Sequence, residues 1–190
     1  MELVTPSTEE SAPATDTPAT DTDTRATDPG TPARFRSLMT GFPSGVAIIT
    51  AVDRDHRPWG MTCSALCSVT VEPPTLLVGM RIGSPTLAAA MHSGRFAVNL
   101  LHAKGQETAE LFASGDPDRF AVTVWDAPAG RGGPHLTEAA RAVADCRITQ
   151  TVRVGAQRMV FGQVYGIREL ADTEPLLYGL RAYRSWPPPG

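Results

Sequence analysis

Alternating apolar and polar positions, rich in β-branched residues, recur along most of this chain and predict strands. Residues 46–52 (VAIITAV) read as one strand. The polar loop at 53–58 turns back to Trp59, which predicts a hairpin-like pairing with residues 60–70. Pro73 and Pro74 end that second element, since proline donates nothing to a sheet ladder, and residues 75–81 (TLLVGMR) read as a buried strand. Residues 96–101 (FAVNLL) are apolar on both faces, as a central strand requires. Residues 143–154 and 159–167 alternate on either side of a Gly155-Ala156-Gln157-Arg158 turn, residues 175–183 (PLLYGLRAY) form a last strand, and 120–125 a short one.

Helical signals are fewer. Thr31-Pro32 pairs an N-cap residue with proline at the first helical position, opening a short amphipathic helix through Phe35, Leu38 and Met39 that Gly41 stops. Ser84-Pro85 repeats the device ahead of the apolar run at 87–91, and residues 104–113 read as an amphipathic helix. Residues 127–134 (APAGRGGP) read as a flexible loop, because they match neither of the glycine-rich phosphate-binding patterns. Strands outnumber helices and follow one another instead of alternating with them. The expected fold class is therefore mainly β, an antiparallel barrel with a few flanking helices. A doubly wound dinucleotide fold would need a glycine fingerprint after its first strand, which is missing.

Composition divides the 190 residues unequally. Residues 1–30 repeat Ala-Thr-Asp at 14–16, 19–21 and 26–28, hold no aromatic residue and lack apolar periodicity, so a disordered tail is expected there. One domain is expected over residues 31–186, followed by a Pro-rich end at 187–190. The formal net charge of −3 conceals seven acids and one base in the tail, which leaves +3 for the rest. That slight excess, with no Lys/Arg block, argues against a nucleic-acid partner and suits small phosphate-bearing ligands. No apolar run approaches the roughly 18 residues of a membrane span, and no signal peptide is recognisable, so a soluble cytoplasmic protein is expected.

The stretch 60–86 carries the candidate chemistry. Thr62, Cys63, Ser64, Cys67, Ser68 and Thr70 stand where a structural strand would carry bulkier side chains, so a flat ligand can lie against backbone and short side chains. The helix start at Ser84 points free N–H groups outward and suits a phosphate. Three cysteines, with Cys63 and Cys67 spaced C-x3-C and no second ligand pair, read as small core thiols and not as a metal site. His56, His92, His102 and His135 have no acidic partner at a telling spacing and read as exposed or capping side chains, while Trp59, Trp125 and Trp186 read as core or rim residues. No acid–base or nucleophile constellation stands out, which counts against a hydrolase.

In this order the motifs resemble the flavin reductase family, short-chain flavin:NAD(P)H reductases with an FMN-binding split β-barrel. The resemblance runs from about residue 33 to residue 184. It rests on Phe42-Pro43-Ser44-Gly45-Val46, residues 60–65 (GMTCSA) with Ser68-Val69, Pro73-Pro74, Ser84-x-Thr86, residues 96–101, Arg119-Phe120, and Pro175-Leu176-Leu177-Tyr178 with Tyr183. It implies that Thr62, Cys63, Ser64, Ala65, Ser68 and Val69 run along the isoalloxazine of FAD or FMN, with Arg81, Ser84 and Thr86 at its phosphate. It further implies Ser44, Gln157, Arg158 and Tyr183 on the side of NADH or NADPH, no catalytic acid–base residue, a homodimer, and a partner monooxygenase served by diffusing reduced flavin. Relatives commonly carry Gly-Asp-His where this chain has Gly155-Ala156-Gln157, and glutamine does not titrate near neutrality. A flavin-holding protein without turnover and a pyridoxamine-phosphate oxidase are the alternatives on the same barrel.

Overall fold

A computed structural model describes residues 30–186; the expected tail, apart from Gly30, and the Pro-rich end lie outside the described residues. The chain opens with α1 (Pro32–Thr40), whose N-cap Thr31 accepts a hydrogen bond from the Arg34 N–H (3.4 Å), and Gly41 closes it. None of its residues is buried, so Phe35, Leu38 and Met39 form an apolar face that this chain leaves uncovered.

Two sheets follow. β1 (Ser44–Gly45) leads into β2 (Ala47–Val52), β3 (Pro58–Cys63), β4 (Leu66–Val71) and β5 (Pro74–Arg81). After α2 (Pro85–Ser93) come β6 (Arg95–Leu101), a single 3-10 turn, α3 (Gln106–Ser114), β7 (Ala140–Val154), β8 (Gln157–Glu169), β9 (Leu176–Gly179) and β10 (Ala182–Ser185). A seven-stranded antiparallel sheet has the order β3-β2-β6-β7-β8-β5-β4, and a small three-stranded sheet has the order β1-β9-β10. The central place expected for residues 96–101 holds, with β6 between β2 and β7. Ile49, Val98, Phe96, Val78, Met80 and Val160 form the main core beneath α2.

Several expectations need correction. Residues 60–70 are two strands. β3 is one edge of the large sheet and β4 the other, joined by Ser64 and Ala65 alone. Two residues span only about 7 Å, so the sheet curls until its edges approach, and the Gly79 N–H of β5 donates to the Ala65 carbonyl (2.8 Å). Among the described residues no ladder joins β3 to β4 or β5, so hydrogen bonding does not close the sheet into a barrel.

Residues 120–125 form no strand. The Phe120 ring packs edge-on between Phe112 (5.0 Å) and Trp125 (5.7 Å), and the Trp125 indole N–H donates to the Phe120 carbonyl (2.9 Å). Local ring packing here outweighs β propensity. Arg119 joins the cluster, its guanidinium 5.9 Å from the rings of both Trp59 and Phe112.

Residues 175–183 are a hairpin and not one strand. Leu180 and Arg181 both adopt positive φ (51° and 58°) in its two-residue turn, which suits the strand twist but lacks the Asn-Gly signature.

The glycine-rich loop at 127–134 is not a loose surface segment, because its end from Gly132 onward is buried. It crosses β2 and β6 so closely that a Cβ at Gly132 would collide with the Phe96 carbonyl oxygen. The Thr50 hydroxyl donates to the Pro134 carbonyl (2.6 Å), and the buried Asn99 amide accepts from the Leu136 N–H (2.8 Å). This loop also delivers His135, fully buried, to the Asp145 carboxylate (2.9 Å), so the exposed or capping role expected of that histidine is wrong. His102 does act as a cap, accepting from the Lys104 N–H (3.2 Å).

Candidate functional site

The Ser64 and Ala65 link is where small side chains meet open space. On either side of it, the neighbouring residues are committed to the fold. The Thr62 hydroxyl donates to the Ala109 carbonyl of α3 (2.6 Å), and the Cys63 thiol turns inward toward the Gly79 carbonyl (3.6 Å). Behind the link β5 lies close, since a Cβ at Gly79 would sit 3.0 Å from the Ala65 Cβ. Ser64 and Ala65 themselves are exposed and border a slot of about 630 Å³. That is within the range of roughly 300–1,000 Å³ usual for cofactor sites.

Leu66, Cys67, Leu77 and Met159 continue the wall from the large sheet, and Phe35 and Met39 of α1 with Phe42 and Tyr178 face them. The surface is chiefly apolar, with Ser44, Ser64, Arg36 and Arg181 supplying polar groups. No bulky side chain replaces the short ones at the link, so a flat aromatic ring system fits. A second groove of about 560 Å³ shares Ser64, Tyr178 and Arg181 with the slot, and Thr62, Glu110, Tyr183 and Arg184 complete it. Tyr178 and Tyr183 stand 5.0 Å apart, ring to ring, at the junction. Burial pushes the Tyr183 phenol up, with Glu110 and Tyr178 adding to it, so it remains a neutral hydroxyl at working pH.

The sequence candidates thus fall into groups. Ser44, Ser64 and Ala65 border the slot, and Thr62, Ser64 and Tyr183 border the adjoining groove. Ser84 and Arg158 share a smaller depression of about 330 Å³ at the start of α2. Ser84 caps that helix by accepting from the Leu87 N–H (3.2 Å), and Arg158 donates to the Thr151 hydroxyl (3.0 Å). Ser68, Val69, Arg81 and Gln157 lie outside these three depressions, the last two opposite each other across β5 and β8. Cys63 and Thr86 are buried, so a ligand could reach only their backbone. Sequence reasoning missed Phe35, Arg36 and Met39; Phe42 and Tyr178 counted there only as motif residues, and Arg181, weighed as a contact for the NADH pyrophosphate, reads from sequence as solvated surface charge. The visible signal for the missed wall was the apolar face of α1 and its nearby aromatics, read only as packing.

The three thiols differ. Burial pushes Cys63 up to about 11 and Cys146 up to about 12, which keeps both protonated, whereas Cys67 is exposed at the slot and departs from the core role expected of it. Iodoacetamide at neutral pH should therefore add one carbamidomethyl group to the native protein, at Cys67, and three to the denatured protein, as counted by intact mass. Rapid native labelling of Cys63 or Cys146 would contradict this placement.

A mainly β protein whose sheet edges approach beside an apolar slot, with a second groove opening from the same corner, has the form of a small-molecule-binding class of protein. Comparison with known proteins gives the class its family. The chain belongs to the flavin reductase like domain family, which matches residues 39–187. It is 46% identical over 160 residues to a flavin reductase (NADPH) of Lentzea aerocolonigenes, covering 84% of this chain and 93% of that one. It is 36% identical to the flavin-dependent monooxygenase reductase subunit HsaB of Rhodococcus jostii, covering 77% and 74%. Among solved structures, the NADH:FAD oxidoreductase SgcE6 of Streptomyces globisporus superimposes with a TM-score of 0.77 at 26% identity, covering 85% and 96%.

Proposed function

We propose that this chain is a flavin:NAD(P)H oxidoreductase that reduces FAD or FMN and supplies the reduced flavin to a separate flavin-dependent monooxygenase. The carrying observation is the confluence of the two grooves at Ser64, which allows one planar ring in the slot and a second over it. When both are bound, the nicotinamide supplies a hydride that the flavin accepts. The protein's part is to hold the rings with reacting atoms about 3–3.5 Å apart and to exclude water, which needs no nucleophile. In this reading backbone along residues 62–65 and 68–69 lies against the flavin ring, with Leu77 and Met159 against its apolar face. Arg81, Ser84 and Thr86 lie toward its phosphate, and Ser44, Gln157, Arg158 and Tyr183 toward the nicotinamide.

The curled sheet corresponds in this reading to the FMN-binding split barrel, spanning residues 31–186 as one domain between the acidic tail and the Pro-rich end. Phe35 (60% exposed) and Phe42 (66%) border the slot without cover, and Leu38 (72%) lies exposed on the same helix as Phe35, which supports a homodimer that completes the slot. Among the described residues no helix is long and apolar enough to cross a membrane, in keeping with a cytoplasmic place.

Purified protein should oxidise NADH or NADPH only when flavin is added, and should scatter light as a dimer. Failure of either nicotinamide to reduce flavin faster than in buffer rejects the enzyme reading. Tight flavin retention without turnover would mark a binding protein instead, and a monomeric mass would remove the dimer.

A further inference from the structure

Among the described residues, the guanidinium groups of Arg181, at the meeting of the grooves, and of Arg184, in the second groove, lack a carboxylate partner. Arg181 occupies the positive-φ turn between β9 and β10, and its neighbour Leu180 is pinned by donating its N–H to the Thr40 carbonyl (2.8 Å). The backbone of Arg181 is thereby fixed at the junction, where its exposed side chain borders both cavities. Among the described residues, no hydrogen bond or ion pair engages its guanidinium. Arg184 borders only the second groove, and the one bond from its side chain goes to the neighbouring Tyr183 carbonyl (2.8 Å). The groove's acid, Glu110, is taken up by the Gln106 amide on its own helix (2.9 Å). Among the described residues, Arg131 and Arg168 elsewhere in the fold each face an aspartate, whereas Arg36, which borders only the slot, has no carboxylate partner either. An arginine left without counter-charge inside a ligand groove suits a bidentate phosphate contact.

We propose that Arg184 selects a nicotinamide donor carrying a phosphate on its adenosine ribose, so that this protein prefers NADPH to NADH. The inference rests on the flavin reductase reading of the same site. Order along the groove assigns the two arginines. Arg181, at the junction next to the ring slot, meets the diphosphate that both donors share. Arg184, three residues further and up to about 10 Å away along an extended chain, meets the group found only in the phosphorylated donor. Because both guanidiniums are exposed, the contact is screened, and the preference shrinks as salt is raised.

Calorimetric titration of the full chain with adenosine 2′,5′-bisphosphate and with 5′-AMP separates these roles. The wild-type protein should bind the bisphosphate about tenfold more tightly. Arg184→Gln should remove that difference, Arg184→Lys should restore part of it, and Arg181→Gln should weaken both ligands while leaving their ratio. The NADPH:NADH ratio of kcat/KM should fall about tenfold in Arg184→Gln, with thermal unfolding confirming that the variant is folded. Equal wild-type affinity for the two probes, or a difference that survives Arg184→Gln, overturns the assignment. A protein that reduces flavin but favours NADH likewise overturns only this inference. Failure to reduce flavin with either donor overturns the underlying reading.

Discussion

Asp145→Ala should cost about 3–5 kcal/mol of stability, the usual penalty for removing one partner of a buried charged network. That is a large share of the roughly 5–15 kcal/mol that holds a domain together. The fully buried carboxylate accepts the Gly132 N–H (2.7 Å) and a ring nitrogen of His135 (2.9 Å), and Arg131 stands 3.5 Å away. Without it, the Gly132 N–H and the imidazole lose their partner, and the loop they anchor crosses β2 and β6 directly. His135 has no second acceptor in reach, since the nearest Asp126 oxygen is 3.9 Å from its other ring nitrogen. Urea unfolding of the two proteins measures the loss as a lower midpoint at unchanged slope. A midpoint within about 1 kcal/mol of wild type would contradict the role given to this network.

The same carboxylate makes stability depend on pH. Burial pushes its pKa up, but the hydrogen bonds from His135 and Gly132, with the nearby charges of His135 and Arg131, outweigh burial and hold it below the usual carboxylate range. A carboxyl held low in the folded state stabilises the protein above its unfolded value of about 3.9. That contribution is lost as pH falls through the folded value. Acid titration should therefore show a component of destabilisation below about pH 4 that is missing from Asp145→Asn.

The second large effect belongs to the slot. Ala65→Trp should lower flavin affinity about 100-fold, or ~2.7 kcal/mol, while leaving the fold intact. Ala65 is exposed at the slot with β5 packed behind it, so a larger side chain can extend only into the space assigned to the ring. Exposed substitutions of this kind change stability by about 0.5 kcal/mol or less. Quenching of flavin fluorescence on titration, with the melting temperature as control, checks both halves. Binding within about threefold of wild type, well under the 1.4 kcal/mol of a tenfold change, would mean that the ring lies elsewhere.

Much of the fold could be read from local pattern. The Thr31-Pro32 and Ser84-Pro85 starts became capped helices, because a cap is a bond between residues three apart. The strand at 46–52 and the long pair at 143–154 and 159–167 appeared where alternation put them, give or take a few residues. Misreadings cluster where contacts are distant. The break at Ser64 and Ala65 was hidden because these small residues still fit an extended pattern, and only the meeting of two sheet edges turns them into a corner. The loop at 127–134 has a flexible composition, yet its Gly132 and Gly133 let backbone lie on backbone. His135 showed no partner because Asp145 lies ten residues away, on a strand whose face is set by pairing with β6 and β8.

For the candidate site, the sequence singled out the short side chains of one wall, and the motif resemblance placed the family. That α1 forms an opposite wall with Phe42 and Tyr178, and that Arg181 and Arg184 border one groove, came only from the folded chain. By itself the sequence determined where the long alternating strands run and where the capped helices begin, since period and capping act over a few positions. Tertiary structure alone decided which edges meet, which charges go inside and which grooves join. Alternation specifies a residue's face but not the strand that will lie beside it.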